Sequence, residues 1–301
     1  MRAQAAGLTE DLKAATSIMI ASGGKRIRPA LAMLVGRLLG GDTDRLITLS
    51  AAIELLHTAT LVHDDLIDGA LLRRGIPTLS ARWSPGATVL TGDFMFARAA
   101  RLAAETGSLD VMKIFAQTLS VIVHGEIEQL FINHCDADRL NYLHRIYAKT
   151  ASLFETTALS AALISSQDPQ VHEKYAKFGY ALGMAFQIID DIMDFTADAT
   201  KLGKPVGNDL RQGIVTLPVI IYAENNPDDD DISTLIKGKC LEDDTVASIV
   251  EKVRKSDAIE KAHHEAEDYI NSATSILSDL EPGEYRSALL ELSSYITQRV
   301  S

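Results

Sequence analysis

The chain has 301 residues, 47% of them hydrophobic and 6% aromatic, so it is long and apolar enough to bury one large core or two ordinary ones. Its net charge of -12 and the lack of a basic stripe exclude sequence-independent nucleic-acid binding, since nothing in the sequence would neutralise a run of phosphates. The two cysteines, Cys135 and Cys240, have neither metal-ligand nor redox spacing and indicate ordinary thiols in a reducing compartment.

Neither a membrane span nor a signal peptide is predicted. No apolar run reaches the length of a bilayer span, and the N-terminal segment lacks the apolar core of a signal peptide. No repeat, low-complexity tract or shift in composition marks a domain boundary. We therefore expect a cytoplasmic protein without an integral membrane segment, forming a single domain over residues 1–301.

The first predicted helix covers residues 8–20 and ends at Gly23-Gly24. The basic run K-R-I-R-P at residues 25–29 follows, and Pro29 suits the first turn of the next helix. Three cations at a glycine-rich helix entrance can bind a phosphate, because the free backbone N–H groups and the helix dipole point the same way. A solvated basic turn has the same composition, so this run alone leaves both interpretations open.

A long helix is predicted from Thr43, as its N-cap, to Gly69, and three aspartates stand near its end. Asp64 and Asp68 are four residues apart and share a face, with Asp65 beside them. Burying unpaired carboxylates is costly, and the usual compensations are protonation, an ion pair or a metal ion.

The surroundings of this triplet favour a metal ion. The nearest permanent cations, Arg73 and Arg74, lie beyond the end of the helix, and the adjacent His63 is not a permanent cation. His57 lies on the aspartate face, two turns before Asp64. A lone helical histidine is more often a core or surface residue than a ligand, but this alignment favours contact with a substrate.

Further helices are predicted at residues 87–104, 109–133, 137–165 and 169–197, with amphipathic helices again after residue 245. No alternating strand with a hairpin turn is evident. The sequence therefore predicts an all-α fold.

The helix predicted at 169–197 repeats the acidic pattern in F-Q-I-I-D-D-I-M-D, which supplies Asp190, Asp191 and Asp194. Oxygen-only ligands suit hard cations, and Mg²⁺ prefers a few carboxylates together with water and substrate phosphates. Two solvated helix ends would be the alternative, but the same spacing in two apolar settings favours metal binding.

Two later segments are rich in charge. Residues 200–217 are glycine-rich and carry Lys201, Lys204 and Arg211, which would close over a polyanion, although a plain connecting loop has a similar composition. The acidic run at residues 225–231 lacks apolar periodicity and nearby arginines, and it is predicted to be a solvated, mobile connection.

Two acidic triplets on facing helices, with cations around them, predict a cavity that holds metal ions between protein carboxylates and a diphosphate. The ions would neutralise the charge that develops on a leaving diphosphate. The rest of the cavity must be dry and apolar, because the other product of such an ionisation is a carbocation that water would quench.

These motifs resemble those of the trans-isoprenyl diphosphate synthases, also called polyprenyl synthetases. Their order and spacing follow the family from about residue 23 to residue 218. The matching segments are G-G-K-R-I-R-P at 23–29, H-D-D-L-I-D with R-R-G at 63–75, Gly92-Asp93, Gly125-Glu126, Lys149-Thr150, G-M-A-F-Q-I-I-D-D-I-M-D at 183–194, and L-G-K-P-V-G-N-D-L at 202–210.

The resemblance implies an all-α, single-domain antiparallel helix bundle around a deep central cavity, of the isoprenoid synthase type. It also implies a homodimer that uses Mg²⁺ to join an allylic diphosphate to isopentenyl diphosphate by ionisation, condensation and proton loss. By the resemblance, the metal ligands would be Asp64, Asp68 and Asp190, supported by Asp65, Asp191 and Asp194. The allylic diphosphate would be held by Arg73, Lys149, Thr150, Gln187 and Lys204. Isopentenyl diphosphate would be held by Lys25, Arg28, His57 and Arg74.

Product length follows from the resemblance alone. Family members that stop early often place an aromatic residue just before the first triplet, where this chain has the small Ala59 and Thr60. The expectation is a product of roughly six or more isoprene units in a cavity deepened by small side chains. A bulky side chain from the helix that carries Val121 and Ile122 would shorten the product.

Three alternatives stay open. One is a geranylgeranyl or farnesyl diphosphate synthase, which differs only in the floor of the cavity. A terpene cyclase shares the fold, but two intact triplets argue against it. A non-catalytic or partner-dependent subunit of a heteromeric synthase would tolerate the loss of carboxylates, and none is lost here. Many family members, however, carry a lysine at the position of Ile214, and the segment before Gly23 is short, which leaves dependence on a partner chain open.

Overall fold

Helices make up most of the part of the chain that this computed structural model describes, namely residues 24–73, 75–131, 135–196, 206–236 and 242–298. In the first part these are α1 (Ile27–Leu38), α2 (Thr43–Ile67), α3 (Pro85–Glu105), α4 (Leu109–Phe131), α5 (Arg139–Ile146), α6 (Ser152–Ser165) and α7 (Pro169–Thr196). They are followed by α8 (Asn208–Arg211), α9 (Leu217–Asn225), α10 (Asp230–Ile236), α11 (Asp243–Lys255), α12 (Ala258–Ser275) and α13 (Glu284–Thr297). The all-α prediction is confirmed. The helix predicted at 8–20 lies outside the described residues, as do Arg74, Lys201, Lys204 and Cys240.

Two local features depart from the predicted helices. Leu72–Arg73 (β1) and Ile76–Pro77 (β2) form a short antiparallel hairpin, and Gly75 takes a φ of 75° at its turn. The prediction that the chain has no hairpin is wrong here, because strands of two residues are too short to show an alternating pattern. The second feature is a π-helix, Tyr147–Ala151, which joins α5 to α6.

The chain divides into two compact units. One comprises Met1–Gln117 with Thr157–His172, and the other comprises Thr118–Thr156 with Glu173–Ser301. The single domain that the sequence suggests stays a prediction, as does the deep central cavity.

Helix α2 forms the core of the first unit. It is buried along most of its length through residues such as Leu46, Ile53 and Val62, and it packs against α1 and α3. Asp42 caps its first turn by accepting a hydrogen bond from the backbone N–H of Arg45 at 2.9 Å, so the N-cap is one residue before the predicted Thr43.

The same helix corrects the prediction that no apolar run is long enough to span a bilayer. By length and composition alone, Thr43–Ile67 meets that requirement. However, 61% of its most apolar window is buried inside the structure, as is typical of the core helix of a soluble protein.

In the second unit, an ion-pair network joins three helices. Arg139, at the start of α5, donates from Nε and Nη2 to the two carboxylate oxygens of Glu224 at 2.9 and 2.7 Å, and from Nη1 to Glu265 at 2.7 Å. Glu224 belongs to α9 and Glu265 to α12. Helix α9 is itself buried on nearly every side from Leu217 to Ala223.

The acidic run before α10 is largely exposed, as predicted for a solvated connection, but two of its carboxylates have partners that the sequence did not predict. Asp229 accepts hydrogen bonds from the backbone N–H groups of Asp231 and Ile232 at 2.9 and 3.3 Å, which caps the helix. Lys252 of α11 contacts Asp229 and Asp231 at 2.8 Å each. A cation 21 and 23 residues away in the sequence therefore orders this segment.

Candidate active site

The first aspartate triplet occupies the last turn of α2 and its C-cap. Asp65 is only 3% exposed, whereas Asp64 is half-buried and Asp68 is exposed. Arg73 Nε donates to Asp65 Oδ1 at 2.7 Å. The β1–β2 hairpin thus returns an arginine to the helix. An ion pair therefore compensates the middle carboxylate, which corrects the expectation that the nearby arginines were too remote to do so.

His63 joins this end of α2 to α3. Its Nε2 lies 3.1 Å from the carbonyl oxygen of Val89 and 3.5 Å from Asp93 Oδ1, and its ring meets Phe96 edge to face. A Cβ at Gly92 would collide with this imidazole. The Gly92-Asp93 motif is explained by this contact, since the glycine makes room for His63 and the aspartate stands beside it.

In the basic run at the start of α1, Arg26 pairs with a residue of α2. Arg26 adopts a left-handed conformation with φ 52° just before α1, and its guanidinium donates to Glu54 of α2. Arg28 is buried and Lys25 is exposed, while His57 is half-buried on α2. Lys25, Arg28 and His57 thus belong to the same unit as the first triplet, and their predicted contact with isopentenyl diphosphate stays a prediction.

The second triplet lies near the end of α7. Like the first, it has a buried middle aspartate and two more accessible outer ones. Asp191 is 3% exposed, while Asp190 is exposed and Asp194 is half-buried. Asp191 Oδ2 accepts from the Tyr142 hydroxyl and Oδ1 from Gln187 Nε2, both at 2.8 Å. Asp194 accepts from the backbone N–H groups of Asn208 and Asp209 at 3.2 Å, which attaches the start of α8 to α7.

Burial raises the pKa of Asp191 to about 7. The neighbouring charges of Asp209 and Asp190 act in the same direction, while the hydrogen bonds from Gln187 and Tyr142 oppose it. Burial and the same aspartate also raise the pKa of Tyr142 well above its ordinary value. Asp191 is thus a buried carboxyl whose two oxygens both accept hydrogen bonds from neighbouring side chains.

Lys149 and Thr150 lie on the π-helix, a form that often occurs at functional sites. Thr150 Oγ1 donates to Gln187 Oε1 at 2.7 Å, and Lys149 Nζ lies 3.0 Å from Glu126 Oε1. The predicted residues Lys149, Thr150, Gln187 and Asp191 are therefore brought together in one unit. Tyr142 completes this group, and no local pattern pointed to it.

Two glycines allow neighbouring helices to approach the π-helix closely. A Cβ at Gly125 on α4 would lie 2.6 Å from Ala148 Cβ, and one at Gly183 on α7 would lie 2.5 Å from Ala151 Cα. Real Cβ atoms do not approach other atoms so closely. Gly125 and Gly183, both within the family-like motifs, therefore act as contact points for the π-helix.

The remaining predicted residues lie on α2, on α4 and just after α8. Ala59 is fully buried and Thr60 half-buried on α2, whereas Ile122 is buried and Val121 half-buried on α4. Ile214 lies just after α8, and its backbone N–H donates to the carbonyl oxygen of Asp209 at 2.9 Å.

The carboxylates suit a hard divalent cation. Within the described ranges, no group of three or more histidine, cysteine or acidic side chains is close enough to hold a metal ion. The donor chemistry still fits Mg²⁺, because this ion takes a few carboxylates and completes its shell with water and substrate phosphates. The predicted metal ligands Asp64, Asp68 and Asp190 are each exposed or half-buried, so each has access for such an ion.

The chain is similar in sequence and fold to several known proteins. A 39% identical relative over 282 residues is the heptaprenyl diphosphate synthase component 2 of Bacillus subtilis, covering 93% of this chain and 80% of the relative. The crystal structure of heptaprenyl diphosphate synthase from Staphylococcus aureus matches with a TM-score of 0.93 and 32% identity, over 100% of this chain and 95% of that one. A polyprenyl synthase from Caulobacter crescentus, crystallised with calcium and isoprenyl diphosphate, matches with a TM-score of 0.87 and 34% identity over 97% and 91% of the two chains.

The fold and the paired aspartate motifs thus define an all-α isoprenoid synthase. The polyprenyl synthetase family model matches residues 9–253, and the chain belongs to that family. Its relatives are prenyltransferases, so the chain is an enzyme of that class.

Proposed function

We propose that this protein condenses isopentenyl diphosphate with an allylic diphosphate, head to tail and in trans, and releases a polyprenyl diphosphate. In this reaction the allylic carbon–oxygen bond breaks, a carbon–carbon bond forms to isopentenyl diphosphate, and a proton is lost. The observation that carries the proposal is the shared design of the two triplets, each with a buried middle carboxylate and accessible outer ones. That design leaves charge available where a metal diphosphate would bind.

Asp64, Asp68 and Asp190 would hold Mg²⁺. When bound, the ion would neutralise charge on the leaving diphosphate. Asp65 and Asp191 would support these ligands indirectly. Asp65 would do so through its ion pair with Arg73, and Asp191 through its hydrogen bonds with Tyr142 and Gln187. Asp194 would fix the segment after α7 through its contacts with the start of α8.

The substrates would be held by two sets of side chains. Thr150 and Gln187 already contact each other, and Lys149 precedes Thr150 on the π-helix. These three residues would bind the allylic diphosphate, with Arg73 and Lys204 as further cations. Lys25, Arg28, His57 and Arg74 would hold isopentenyl diphosphate. The multiplicity of cations fits a substrate pair that carries two diphosphates.

The product would contain roughly six or more isoprene units, in a cavity long enough for the growing chain. The names of the Bacillus and Staphylococcus relatives support a long product. So does the small side chain at Ala59. A geranylgeranyl or farnesyl product is the alternative, and it would require a floor nearer the diphosphates.

The test is an incubation of purified protein with labelled isopentenyl diphosphate, several allylic primers and Mg²⁺, followed by sizing of the dephosphorylated products. Long prenyl alcohols are expected, and Asp190→Asn should lower turnover by roughly 100-fold or more. Asp110→Asn is the matched control, because Asp110 is exposed and pairs with Lys113 one turn away. Folded protein that extends no primer would contradict the proposal.

The partner of this chain would bind an apolar stripe on α4. Val123, Ile127, Leu130 and Phe131 follow helical spacing and are 44%, 48%, 53% and 85% exposed. A second copy of the chain, giving a homodimer, would cover this stripe. The name "component 2" of the Bacillus relative supports a heteromer as the alternative. The exposed Phe131 is too large to stay in water without cost.

Measuring the mass in solution distinguishes these states. We expect the purified chain to have the mass of a dimer and the Phe131→Glu variant to have the mass of a monomer. Ile236→Glu is the control, because Ile236 is 59% exposed on α10, away from the stripe in the sequence. A monomer that becomes active only with a second polypeptide would favour the heteromer.

We also propose a cytoplasmic location for the protein.

A further inference from the structure

We propose that Tyr142 is a positioning residue, which acts through Asp191 and Gln187 to hold the metal-binding and diphosphate-binding side chains of the second unit in register. The inference rests on the proposed function, since it concerns the same site. It adds a residue that lies outside the acidic motifs and outside the Lys149-Thr150 pair.

Tyr142 has a fixed place in the structure. Its side chain is fully buried on α5, and its ring lies 5.5 Å from the guanidinium of Arg145, which in turn donates to the carbonyl oxygen of Val215. A tyrosine has only two side-chain torsions to fix, so its hydroxyl is a well-placed donor. That hydroxyl donates to Asp191 Oδ2 at 2.8 Å.

The bond to Asp191 controls the rotation of one turn of α7. Asp191 receives one hydrogen bond on each oxygen, from Tyr142 and from Gln187. Its neighbour Asp190 is about 100° further round the helix and exposed. Because Asp191 is held from outside its own helix, the direction of Asp190 is held with it. A rotation of this turn would move the Asp190 carboxylate away from the position in which it would hold an ion.

The hydrogen bonds also close a loop between two helical stretches. From Tyr142 the path runs to Asp191, then to Gln187 and to Thr150, through bonds of 2.8, 2.8 and 2.7 Å. Tyr142 and Thr150 lie eight residues apart on one continuous helical stretch, which in a regular α-helix would place them roughly 80° apart around the axis. The intervening π-helix changes that angle, and both side chains reach α7.

A purely structural tyrosine is the competing explanation. It would satisfy a buried aspartate and stabilise the fold, and its loss would lower stability without a selective effect on the reaction. The two explanations differ in what the hydroxyl controls once the protein is folded.

The chain offers a matched control. Tyr175 is also buried, lies on α7, and its hydroxyl has no hydrogen-bond partner among the residues that the structure describes. Tyr142→Phe and Tyr175→Phe therefore each remove one buried hydroxyl and keep the ring. Only the first removal breaks a bond that leads to the site.

We expect Tyr142→Phe to lower kcat by roughly tenfold or more, to leave the KM for isopentenyl diphosphate unchanged, and to raise the Mg²⁺ concentration needed for half-maximal rate. Tyr175→Phe should keep all three values within about twofold of the parent. The double variant Tyr142→Phe with Asp191→Asn should lose little more than Asp191→Asn alone, because both substitutions break the same path. Circular dichroism and thermal unfolding would establish that each variant is folded.

A binding measurement separates this inference from the proposed function. Titration calorimetry with inorganic pyrophosphate and Mg²⁺ needs no turnover, and Tyr142→Phe should weaken that binding by roughly tenfold while Tyr175→Phe does not. If the parent binds pyrophosphate but extends no primer, the proposed function fails, and the binding ratio still decides the role of Tyr142. Equal effects of the two tyrosine variants, or additive losses in the double variant, would overturn the inference.

Discussion

Arg73, on the first strand of a two-stranded hairpin, donates from Nε to the buried Oδ1 of Asp65 at 2.7 Å. The pair joins two residues that are eight positions apart in the sequence but belong to different elements. Asp65, the middle aspartate of the first triplet, is buried in the protein interior. The outer Asp64 and Asp68 are then the ones with access to a ligand.

Removing the arginine should destabilise the fold. Arg73→Leu removes an ion-pair partner of the buried Asp65 carboxylate, and we expect a loss of about 1–3 kcal/mol in the free energy of unfolding. This is the lower part of the usual range, because the side chain of Arg73 is 32% exposed. Urea denaturation measures it. The control is Arg101→Leu, whose exposed pair with Glu105 should contribute less than about 1 kcal/mol. Equal losses in the two variants would contradict the importance of the buried pair.

Stability should depend on pH through Asp191. Its carboxyl has a pKa of about 7 in the folded chain and an ordinary value of 3.8. Between these values the folded state binds more protons than the unfolded state, so this group makes the protein less stable as pH rises, and its destabilisation is complete above pH 7.

The measurement is the free energy of unfolding at pH 4 to 8 in the presence of a chelator, for the parent and for Asp191→Asn. The stability of the parent relative to Asp191→Asn should fall across this interval by up to roughly 4 kcal/mol. A difference that stays constant with pH would show that Asp191 titrates normally in the folded protein.

The close approach at Gly183 should not tolerate a methyl group. Its Cβ would lie 2.5 Å from Ala151 Cα, so Gly183→Ala must push α7 away from the π-helix, at a cost of about 1–3 kcal/mol. We also expect turnover to fall by more than the loss of stability would explain, since the shift displaces Gln187 and Thr150 from each other. Thermal unfolding and turnover are the two measurements.

Gly86 is the matched control for this substitution. It lies in the first turn of α3, and no atom of the described residues would lie within 4 Å of an added Cβ, so Gly86→Ala should be neutral or stabilise by up to about 1 kcal/mol. A harmless Gly183→Ala would show that the two helices separate at little cost.

Product length should respond to Thr60. Ala59 is fully buried, so Ala59→Phe would overpack the core as well as alter any floor. Thr60 is half-buried, and its hydroxyl donates to the backbone of its own helix, at the carbonyl oxygen of His57. Thr60→Phe should therefore shorten the product, as measured by sizing the prenyl alcohols. Unchanged products from folded Thr60→Phe would place the floor elsewhere.

Much of this fold follows from local pattern. Helices predicted at 109–133 and 169–197 end within two residues of the observed Leu109–Phe131 and Pro169–Thr196, because apolar spacing and the flanking breaks are local signals. Helix α9 was missed, since it is buried on nearly every side and therefore shows no amphipathic period.

The partners of the aspartates were harder to predict. Both triplets are evident in the sequence, but Tyr142 lies 49 residues before Asp191, and no spacing rule joins them. Lys252 likewise orders the acidic run before α10 from a distance of more than twenty residues. Such contacts depend on how the helices pack, and a pattern within one helix does not contain that information.

The double ion pair of Arg139 has a consequence for variation far from the aspartates. Arg139 stands three residues before Tyr142, and Glu265 follows it by 126 positions. An inherited or engineered change at Glu265 would loosen the anchor of the helix that presents Tyr142. Helix α12, which follows every family-like motif in the sequence, is thus a place where mild activity defects should arise.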